Sequence, residues 1–396
     1  MSSKKAIIIV PTYNEKENVV KLIPVLEEVF AGIHNWDMHV LFVDDSSPDG
    51  TADEVKKFAK KNKHVHVHIN PQKRGLGAAY LSGMKEAFGE LGADVVFEFD
   101  ADFSHDPAKI PDFLNKIDQG FDMVIGSRYI KGGSIPSDWG FDRKVLSVIG
   151  NLFITFVFTD FRIHDWTSGY RAITKKVYEF VVDEMSDPKL SGYTFQAAFL
   201  RKAVRKGFKV AEVPFAFVDR KIGKSKLGSD NIKTTLQFVI GDRFEEIINS
   251  RIFKFGVVGG LGFVINTIGL FLFSRIAVVQ SLAISLSHTT GLTIINAAGT
   301  ASALGAECAI ISNFILNNAW TFSDRKTTNV VQTASKFIQF NIASFGAVIL
   351  QFIIVGAGTH FTGSGTISKL FWLVSATAIG MVLNFIIYST FIWKKK

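Results

Sequence analysis

The feature that most constrains the fold is a change in composition about two thirds of the way along the 396-residue chain. Up to about residue 250, charged residues alternate with short apolar runs, whereas from Phe255 onward charges are absent over long intervals. The segment from Phe255 to Ser274 has no charge over 20 residues, which is enough for a helix to cross the hydrocarbon core of a bilayer. The second part is therefore expected to lie in a membrane.

Three further apolar segments predict three more membrane crossings. Four crossings return the C-terminus to the starting side, where most flanking cations fall, as expected of a cytoplasmic face. No signal peptide precedes the first strand-like run, so we expect a multi-pass membrane protein whose first part and both termini are cytoplasmic. The added segments run from near Ala301 to Ser323, Phe337 to about Gly358 and Leu370 to Trp393; the cations on the inner side are Arg251, Lys254, Arg325, Lys326, Lys336 and Lys394 to Lys396, against Arg275 and Lys369 outside.

The membrane part contains an internal echo. Asn313 to Phe322 reads NFILNNAWTF, and Asn384 to Trp393 reads NFIIYSTFIW, each near the end of an even-numbered span. Such self-similarity indicates a duplication of two helix pairs. The intervening stretch from Ser281 to Thr300 is only moderately apolar, and we expect an outer loop or an interfacial element there.

The first part has the rhythm of a mostly parallel sheet covered by helices. Short apolar runs are separated by helix-sized segments, and in such sheets ligands bind beyond the carboxyl ends of the strands. Polar residues follow each run at these ends. The runs are Ala6–Val10, Val40–Val43, Val95–Phe99 and Met123–Ile125, and the polar ends are Pro11–Glu15, Asp44–Thr51, Asp100–Asp102 and Gly126–Tyr129.

Two carboxylates one residue apart, Asp100 and Asp102, end the third of these runs. In an extended chain they point to the same side, so both can reach one cation, whereas without a cation they would repel each other. An EF-hand loop is excluded, because its glycine and glutamate positions hold His105 and Pro111. A simple turn remains the alternative, but the matching polar ends of the other strands favour a metal site.

Several other classes of protein are disfavoured. The first strand is followed by PTYNE, neither the glycine-rich fingerprint of a dehydrogenase nor a P-loop. The only cysteine, Cys308, excludes an intrachain disulfide and a cysteine-based zinc site. The net charge of +8 is not arranged as a nucleic-acid recognition element, so no nucleic-acid partner is expected and anionic lipid or phosphate is the better partner.

Seven motifs in order, over roughly residues 4 to 228, resemble the dolichyl- or polyprenyl-phosphate mannosyltransferase branch of the family 2 glycosyltransferases. That resemblance implies a GT-A fold, a nucleotide-sugar donor and inversion at the anomeric carbon. The region from Arg251 to the end resembles the four-helix GtrA-like membrane domains, on the NFILNNAWTF segment. The seven motifs are PTYNE from Pro11, VDDSSPDGT from Val43, QKRGLGAA from Gln72, DADFSHDP from Asp100, IGSRY from Ile125, DWTSGYRA from Asp165 and RKIGKSKL from Arg220.

The resemblance implies a donor site and a metal site at the strand ends. Mg²⁺ or Mn²⁺ would be held by Asp100 and Asp102, with Ser104 at a position where relatives place a side-chain oxygen ligand; the shorter serine would act through a water molecule. Asp44 is instead expected to anchor a loop. The residues implied for the nucleotide sugar are Pro11, Tyr13, Glu15, Val43, Asp45, Asp100, Ala101 and Asp102, joined by Arg220 and Lys226.

The acceptor is implied to be a lipid monophosphate held by cations. Arg143 and Ser147 stand four residues apart in an apparent helix and share a face, and Arg128 is a third candidate. Arg220 and Lys226 flank a glycine-containing stretch and are assigned to the donor diphosphate and acceptor phosphate as a lid, with a solvated basic linker as the alternative. The catalytic residues predicted are Asp102, Arg128, Arg220 and Lys226.

Three further segments carry expectations. Trp139 to Phe141 and Leu152 to Phe158 are expected to rest in the membrane interface, with core packing as the alternative, and Ser229 to Ser250 is expected to be an amphipathic connector. His64, His66 and His68 alternate as on one face of a strand. A metal site there is conceivable, but with carboxylates expected to be absent nearby, an exposed edge strand is favoured.

The function expected is transfer of mannose from GDP-mannose to dolichyl or another polyprenyl phosphate. The alternatives are a UDP-glucose-dependent polyprenyl-phosphate glucosyltransferase, or a flippase of lipid-linked sugar whose soluble domain is regulatory. The expected domains are a cytosolic GT-A domain at residues 1–228, an interfacial connector at 229–250 and a GtrA-like domain with four transmembrane helices at 251–396.

Overall fold

A computed structural model describes residues 3–185, 187, 190, 192–219, 229–273, 275–290, 297–327, 329–362 and 366–394. Arg220 and Lys226, predicted to contact both phosphates, lie outside the described residues. The chain divides into two compact units, Met1–Arg243 and Phe244–Lys396, and each is described by itself.

The first unit is built on a seven-stranded sheet of order β3-β2-β1-β4-β6-β5-β7. The strands are β1 Lys4–Thr12, β2 Trp36–Asp44, β3 Val65–Ile69, β4 Val95–Glu98, β5 Met123–Ser127, β6 Arg171–Thr174 and β7 Val210–Pro214. All neighbours pair in parallel except β6, which runs antiparallel to both β4 and β5. The four predicted strands correspond to β1, β2, β4 and β5, and the prediction of a mostly parallel sheet is confirmed.

Helices cover both faces of this sheet. The apolar positions of β1 alternate between the two faces, so that Ile8 and Val10 pack with one helix layer while Ile7 and Ile9 pack with the other. Gly83 of α3 lies so close to the sheet that an added Cβ would stand 2.7 Å from Ile9 Cγ2 and 2.8 Å from Val43 Cγ2. The helices are α1 Lys16–Ala31, α2 Thr51–Ala59, α3 Leu76–Gly89, α4 Ile110–Asp118, α5 Phe141–Phe158, α6 Lys175–Val181 and α7 Gly192–Arg205.

The histidine run lies at the edge of the sheet, as predicted, because β3 is its outermost strand. The prediction that carboxylates are absent nearby is wrong. Asp37, on the neighbouring β2, lies beside His64, and Glu86 of α3 pairs with His68. The pairing of β2 with β3 brings together residues that are far apart in the sequence.

The predicted connector is a helix, α8 Ser229–Asn249. The part of α8 that belongs to the first unit packs against that unit, since Val239 is fully buried in its core. Asp242 accepts hydrogen bonds from Arg201 Nε at 3.0 Å and Arg205 Nη1 at 3.1 Å, both on α7. These contacts fix the position of α8 on the first unit.

Five helices of the second unit are described, namely α9 Arg251–Phe273, α10 Ala277–Thr290, α11 Ala297–Leu316, α12 Val330–Thr362 and α13 Thr366–Ile387. The four predicted apolar segments fall largely within α9, α11, α12 and α13. The stretch from Ser281 to Thr300, expected as an outer loop or an interfacial element, begins within α10, so the loop alternative is wrong for Ser281 to Thr290. Residues 291–296 of that stretch lie outside the described residues. Among the described residues, α9 is long and apolar enough to cross a membrane, with a mean hydropathy of 2.0.

The two echoing sequences have the same local structure. Asn317–Thr321 follows α11 and Tyr388–Ile392 follows α13, and both form a π-helical turn. Phe322 and Trp393 come directly after these turns, and their rings stack with centroids 4.7 Å apart. The repeat in sequence is thus a repeat in backbone conformation, and its two copies meet at an aromatic contact.

Candidate active site

A cavity of about 330 Å³ opens at the carboxyl ends of β1, β2 and β4. It is completed by residues that follow β5 and β7 and by the start of α7. Most of the predicted site residues line this one cavity, namely Pro11, Tyr13, Glu15, Asp45, Asp100, Ala101, Asp102, Ser104, Arg128 and Arg143. The sheet therefore brings together residues that are more than 130 positions apart in the sequence.

Asp100 and Asp102 both line the cavity. They also belong to a turn, which was the alternative to a metal site. The backbone amide of Ser104 donates to Asp102 Oδ1 at 3.1 Å, and Phe103 between them has φ 63°, in the left-handed region. The turn leaves the Asp100 side chain 36% exposed. A pair of carboxylates at an open cavity is the oxygen-donor set that suits Mg²⁺ or Mn²⁺, so the residues fit such an ion.

His105 contacts Asp100 and fixes its backbone. Its Nδ1 accepts a hydrogen bond from the backbone amide of Asp100 at 3.0 Å, and its ring stacks on Tyr170 with centroids 4.9 Å apart. Burial lowers the pKa of His105, so the ring is held neutral. The imidazole thus fixes the backbone of the loop that carries Asp100 and Asp102 without adding a cation to the cavity.

A buried polar layer lies under the same loop. The hydroxyl of Tyr80 donates to Asp100 Oδ1 at 3.1 Å, and burial together with the Asp100 charge raises the pKa of Tyr80. Burial also raises the pKa of Glu98 to about 7, although Arg171 Nε lies 3.8 Å from Glu98 Oε2. Arg171 donates to three backbone oxygens, those of Trp166, Ser168 and Gln196. Arg171 therefore shapes the site by holding the segment that enters β6.

Asp44 and Asp45, at the end of β2, anchor two loops. Asp44 is buried and accepts hydrogen bonds from Thr12 Oγ1 at 3.0 Å and from Ser47 N at 2.8 Å, so the expected anchoring role agrees with its contacts. Asp45 accepts from Asn70 Nδ2 at 2.8 Å and from the backbone amides of residues 74 and 75 at 3.0 and 3.1 Å. Asp45 thereby ties the glycine-rich segment before α3 to the cavity edge.

The other residues predicted to contact the nucleoside, Tyr13, Glu15 and Val43, differ in where they lie relative to the cavity. The ring of Tyr13 carries Lys73 Nζ 3.8 Å from its centroid, which adds a cation next to a stacking surface. Glu15 receives Asn18 Nδ2 at 2.6 Å, which orients its carboxylate. Val43 is fully buried beneath Gly83 and does not line the cavity, so only its backbone can contribute.

Arg128 lines the cavity while forming a buried pair with Asp165. Arg128 Nε and Nη2 donate to the two oxygens of Asp165, each at 2.7 Å, and its backbone amide donates to the same carboxylate at 3.1 Å. Burial opposes the charge, but Asp165 raises the pKa of Arg128. The guanidinium is therefore charged and held in one orientation, with Nη2 also donating to Thr167 at 2.9 Å.

Arg143, near the start of α5, forms a second cationic wall of the cavity. Its Nη1 donates to Asp219 Oδ2 at 2.7 Å, and the same oxygen accepts from Trp139 Nε1 at 3.0 Å. The guanidinium also lies 3.8 Å from the Trp139 ring centroid. Ser147, one turn along α5, bonds to the hydroxyl of Tyr129 at 2.6 Å and does not line the cavity.

One face of α5 exposes a row of large apolar side chains. The two segments expected to rest in the interface belong to this helix, except that Trp139 precedes it and is buried. The row consists of Phe141, Leu146, Ile149, Leu152 and Phe156, exposed by 49 to 83%. Because Arg143 is on the same helix, an apolar surface adjoins the cationic wall.

Sequence reasoning gave no site role to His105, Tyr80, Gln196, Lys73 or Asp219, and it expected Trp139 in the membrane interface, although each contacts or lines the site. His105 belongs to the DADFSHDP motif and was within reach of motif analysis. Trp139 and Asp219 meet only because α5 and the segment after β7 adjoin, and no sequence spacing reveals that contact.

Comparison with known proteins identifies relatives over nearly the whole length. The chain is 31% identical over 388 residues to "Dolichol-phosphate mannosyltransferase" of Pyrococcus furiosus, covering 96% of this chain and 98% of the relative. The chain belongs to the dolichol-phosphate mannosyltransferase family. Other members are "Polyprenol monophosphomannose synthase" of Mycolicibacterium smegmatis, 38% identical over 59% of this chain and 85% of the relative, and "Undecaprenyl-phosphate mannosyltransferase" of Micrococcus luteus, 35% identical over 56% and 87%.

The family models divide the chain as its composition does. Glycosyl transferase family 2 matches residues 7–182, and the GtrA/DPMS transmembrane domain matches residues 254–393. The predicted resemblance to both is confirmed. The chain is therefore a family 2 glycosyltransferase with a GT-A-like α/β domain and a C-terminal domain of a transmembrane family.

Proposed function

We propose that this enzyme transfers mannose from GDP-mannose to a polyprenyl phosphate, dolichyl phosphate included, with inversion at the anomeric carbon. The observation that carries the proposal is that one cavity has carboxylates of metal-site type, Asp100 and Asp102, and buried or clamped arginines, Arg128 and Arg143. Such a cavity suits both the diphosphate of the donor and the phosphate of the acceptor. The names of three relatives support mannose and a polyprenyl phosphate as the reacting groups.

The donor is proposed to lie along the ends of β1, β2 and β4. Tyr13 would stack on the base, Glu15 and Asp45 would accept hydrogen bonds from the nucleoside, and Pro11 and Ala101 would shape the pocket. Asp100 and Asp102, with Ser104 beside them, would hold Mg²⁺ or Mn²⁺. When bound, that ion supplies Lewis-acid neutralisation of the leaving diphosphate.

The acceptor phosphate is proposed to bind between Arg128 and Arg143, with Ser147 orienting Tyr129 at the wall. A phosphate monoester has a second pKa near 6 and is largely dianionic at neutral pH, so its attack on the sugar needs no general base. The arginines orient the attacking oxygen towards the anomeric carbon on the side opposite the diphosphate. By resemblance to the family, Arg220 and Lys226 would contact the two phosphates.

The exposed face of α5 supports a lipid acceptor. Its apolar row, Phe141 to Phe156, can rest among lipid headgroups and acyl chains while Arg143 faces the polar cavity. We propose residues 1–228 as the catalytic domain, 229–250 as the connector and 251–396 as the membrane domain with four crossings. The catalytic domain and both termini are proposed to be cytoplasmic, since cations concentrate on that side.

Incubation of the purified full-length chain with a labelled donor, dolichyl phosphate and a divalent cation tests the reaction. Labelled lipid is expected from GDP-mannose and not from UDP-glucose, and chelation by EDTA should abolish it. NMR of the product should show the β anomer. Labelling from UDP-glucose alone would replace the proposed donor, and an α-linked product would overturn inversion.

A matched pair of variants tests the site. Asp102→Asn should abolish transfer, whereas Asp112→Asn, on the outer helix α4 with a 55% exposed side chain, should not. Undiminished transfer by Asp102→Asn would refute the metal site. Topology can be tested with single cysteines at Ser3 and Val278 in a Cys308→Ser background, where an impermeant thiol reagent on intact cells should label only Val278→Cys.

A further inference from the structure

A second cluster of potential metal ligands lies at the amino ends of β2 and β3, whereas the cavity lies at the carboxyl ends of the strands. Asp37 and His39 are at the beginning of β2, and His64 directly precedes β3. One ligand atom from each residue lies within 4.8 Å of those of the other two. His39 and Asp44 are five residues apart on β2, so at about 3.3 Å per residue the cluster is roughly 17 Å from the carboxyl end of that strand.

Asp37 stands between the two histidines. Its Oδ2 lies 3.0 Å from His39 Nε2, and its Oδ1 lies 3.5 Å from His64 Nδ1. His64 Nδ1 also lies 3.1 Å from the carbonyl oxygen of Met38, which can only accept, so Nε2 is the nitrogen of neutral His64 with a free lone pair. The two imidazole rings are close to each other, with centroids 4.5 Å apart. The side chains of Asp37 and His64 are 34% and 37% exposed, so the cluster can be reached from solvent.

The geometry at His39 is unusual for a buried imidazole. His39 is only 7% exposed, and no hydrogen bond with good geometry is found for its Nε2 among the described residues, although Asp37 Oδ2 lies 3.0 Å away. Its other nitrogen, Nδ1, lies 3.0 Å from His66 Nε2. If Nδ1 carries the proton and donates to His66, the lone pair of Nε2 is left available to a metal ion.

We propose that Asp37, His39 and His64 bind a divalent transition-metal ion of the Zn²⁺ class. Two imidazoles and one carboxylate with open positions for water form a donor set that such ions favour over Mg²⁺. With metal–ligand bonds of about 2.1 Å, nitrogen and oxygen atoms 3.0 Å apart subtend an angle of about 90° at the ion, which its coordination tolerates. His66 acts as the outer partner that orients His39.

This site differs from the catalytic one in its ligands and in the effect of a bound ion. It joins β2 to the segment that leads into the edge strand β3, so a bound ion clips the edge of the sheet. Lys5 Nζ, 4.0 Å from Asp37 Oδ2, is the opposing cation and reduces the affinity.

Co²⁺ is the probe for a test in the full-length chain, purified without a histidine tag and carrying Asp100→Asn and Asp102→Asn to remove the catalytic ligands. We expect one equivalent of Co²⁺ with visible d–d absorption that Zn²⁺ bleaches. His66→Ala should weaken binding about 10- to 100-fold, as outer partners do, and Lys5→Ala should strengthen it. His68→Ala is the matched control on the same strand and should bind as before.

Two independent variants identify the ligands. His39→Ala and His64→Ala should each eliminate the absorption band, and the half-exposed His64 guards against a folding failure of the first variant. Retention of the band in both variants, or no saturable binding below millimolar Co²⁺ in the parent, would overturn the proposal. Because the catalytic carboxylates are absent throughout, neither outcome depends on the proposed transferase reaction.

Discussion

The backbone amide of Asp100 donates to Nδ1 of His105, and this contact settles which tautomer the imidazole adopts. A backbone amide can only donate, so the single proton of neutral His105 is on Nε2, which lies 3.8 Å from Asp100 Oδ2. One residue thus accepts from the main chain of Asp100 and turns an N–H towards its side chain. The ring thus fixes the backbone of Asp100 and places an N–H near its carboxylate.

Replacement of His105 should therefore act through Asp100. We expect His105→Ala to raise the Mn²⁺ or Mg²⁺ concentration for half-maximal transfer about 10- to 100-fold, because the carboxylate loses its orientation. Titration of transferase activity with each ion measures this effect. His105→Asn retains an acceptor near the position of Nδ1 and should recover part of the affinity; equal defects in both variants would contradict the positioning role.

Removal of the carboxylate of Asp165 should destabilise the first unit. Asp165→Asn leaves the buried guanidinium of Arg128 without its counter-charge, which costs about 3 to 5 kcal/mol of unfolding free energy. Chemical denaturation followed by tryptophan fluorescence measures the change. Arg162→Ala removes a pair whose arginine side chain is 81% exposed and should cost less than about 1 kcal/mol. Equal effects would contradict the burial argument.

The cationic wall on α5 should act on the acceptor and not on the donor. Arg143→Ala is expected to raise the KM for dolichyl phosphate about 10- to 100-fold, the value of a charge-assisted hydrogen bond of about 1.5 to 3 kcal/mol. The KM for GDP-mannose should change little. Arg143→Lys keeps the charge but loses the planar fork, so an intermediate KM is expected. A rise confined to the donor KM would place Arg143 at the other phosphate.

The apolar row of α5 should matter only for acceptors in a bilayer. Phe156 is 73% exposed, and Phe156→Asn is expected to raise the KM for a long-chain acceptor about 10-fold. The substitution removes a phenyl group whose burial in the bilayer contributes roughly 1.5 to 3 kcal/mol. A water-soluble short-chain acceptor should be used as before. Phe180→Asn, on α6 and 58% exposed, serves as the control. Equal defects with both acceptors would exclude an interfacial role.

The strand pattern was predictable because β1, β2, β4 and β5 are continuous apolar runs buried on both faces. From that pattern and the polar strand ends followed the meeting of Asp100, Asp102 and Asp45 at one edge. The strand β6 was not predictable, because it has four residues, begins with the buried Arg171 and owes its place to pairing with β4 and β5. Local sequence carries no sign of that pairing.

The features of the site that the sequence did not predict also depend on how the strands are arranged. Val43 was assigned to the nucleoside from its motif, yet its side chain packs under Gly83 because strand residues alternate between faces. The ligand cluster of Asp37 and His64 was missed because the two residues are 27 positions apart and meet only through the register of two strands. Contacts between adjacent strands are set by register, which composition does not reveal.

The antiparallel direction of β6 has a consequence for how this enzyme can vary. Arg128 leaves the sheet at the end of β5, and Asp165 returns to it just before β6, so their ion pair closes an excursion of 37 residues at its base. The whole of α5 lies inside that closed loop. The ion pair holds the two ends of that loop together whatever the length or polarity of α5, so the helix can change while the residues around Arg128 stay in place.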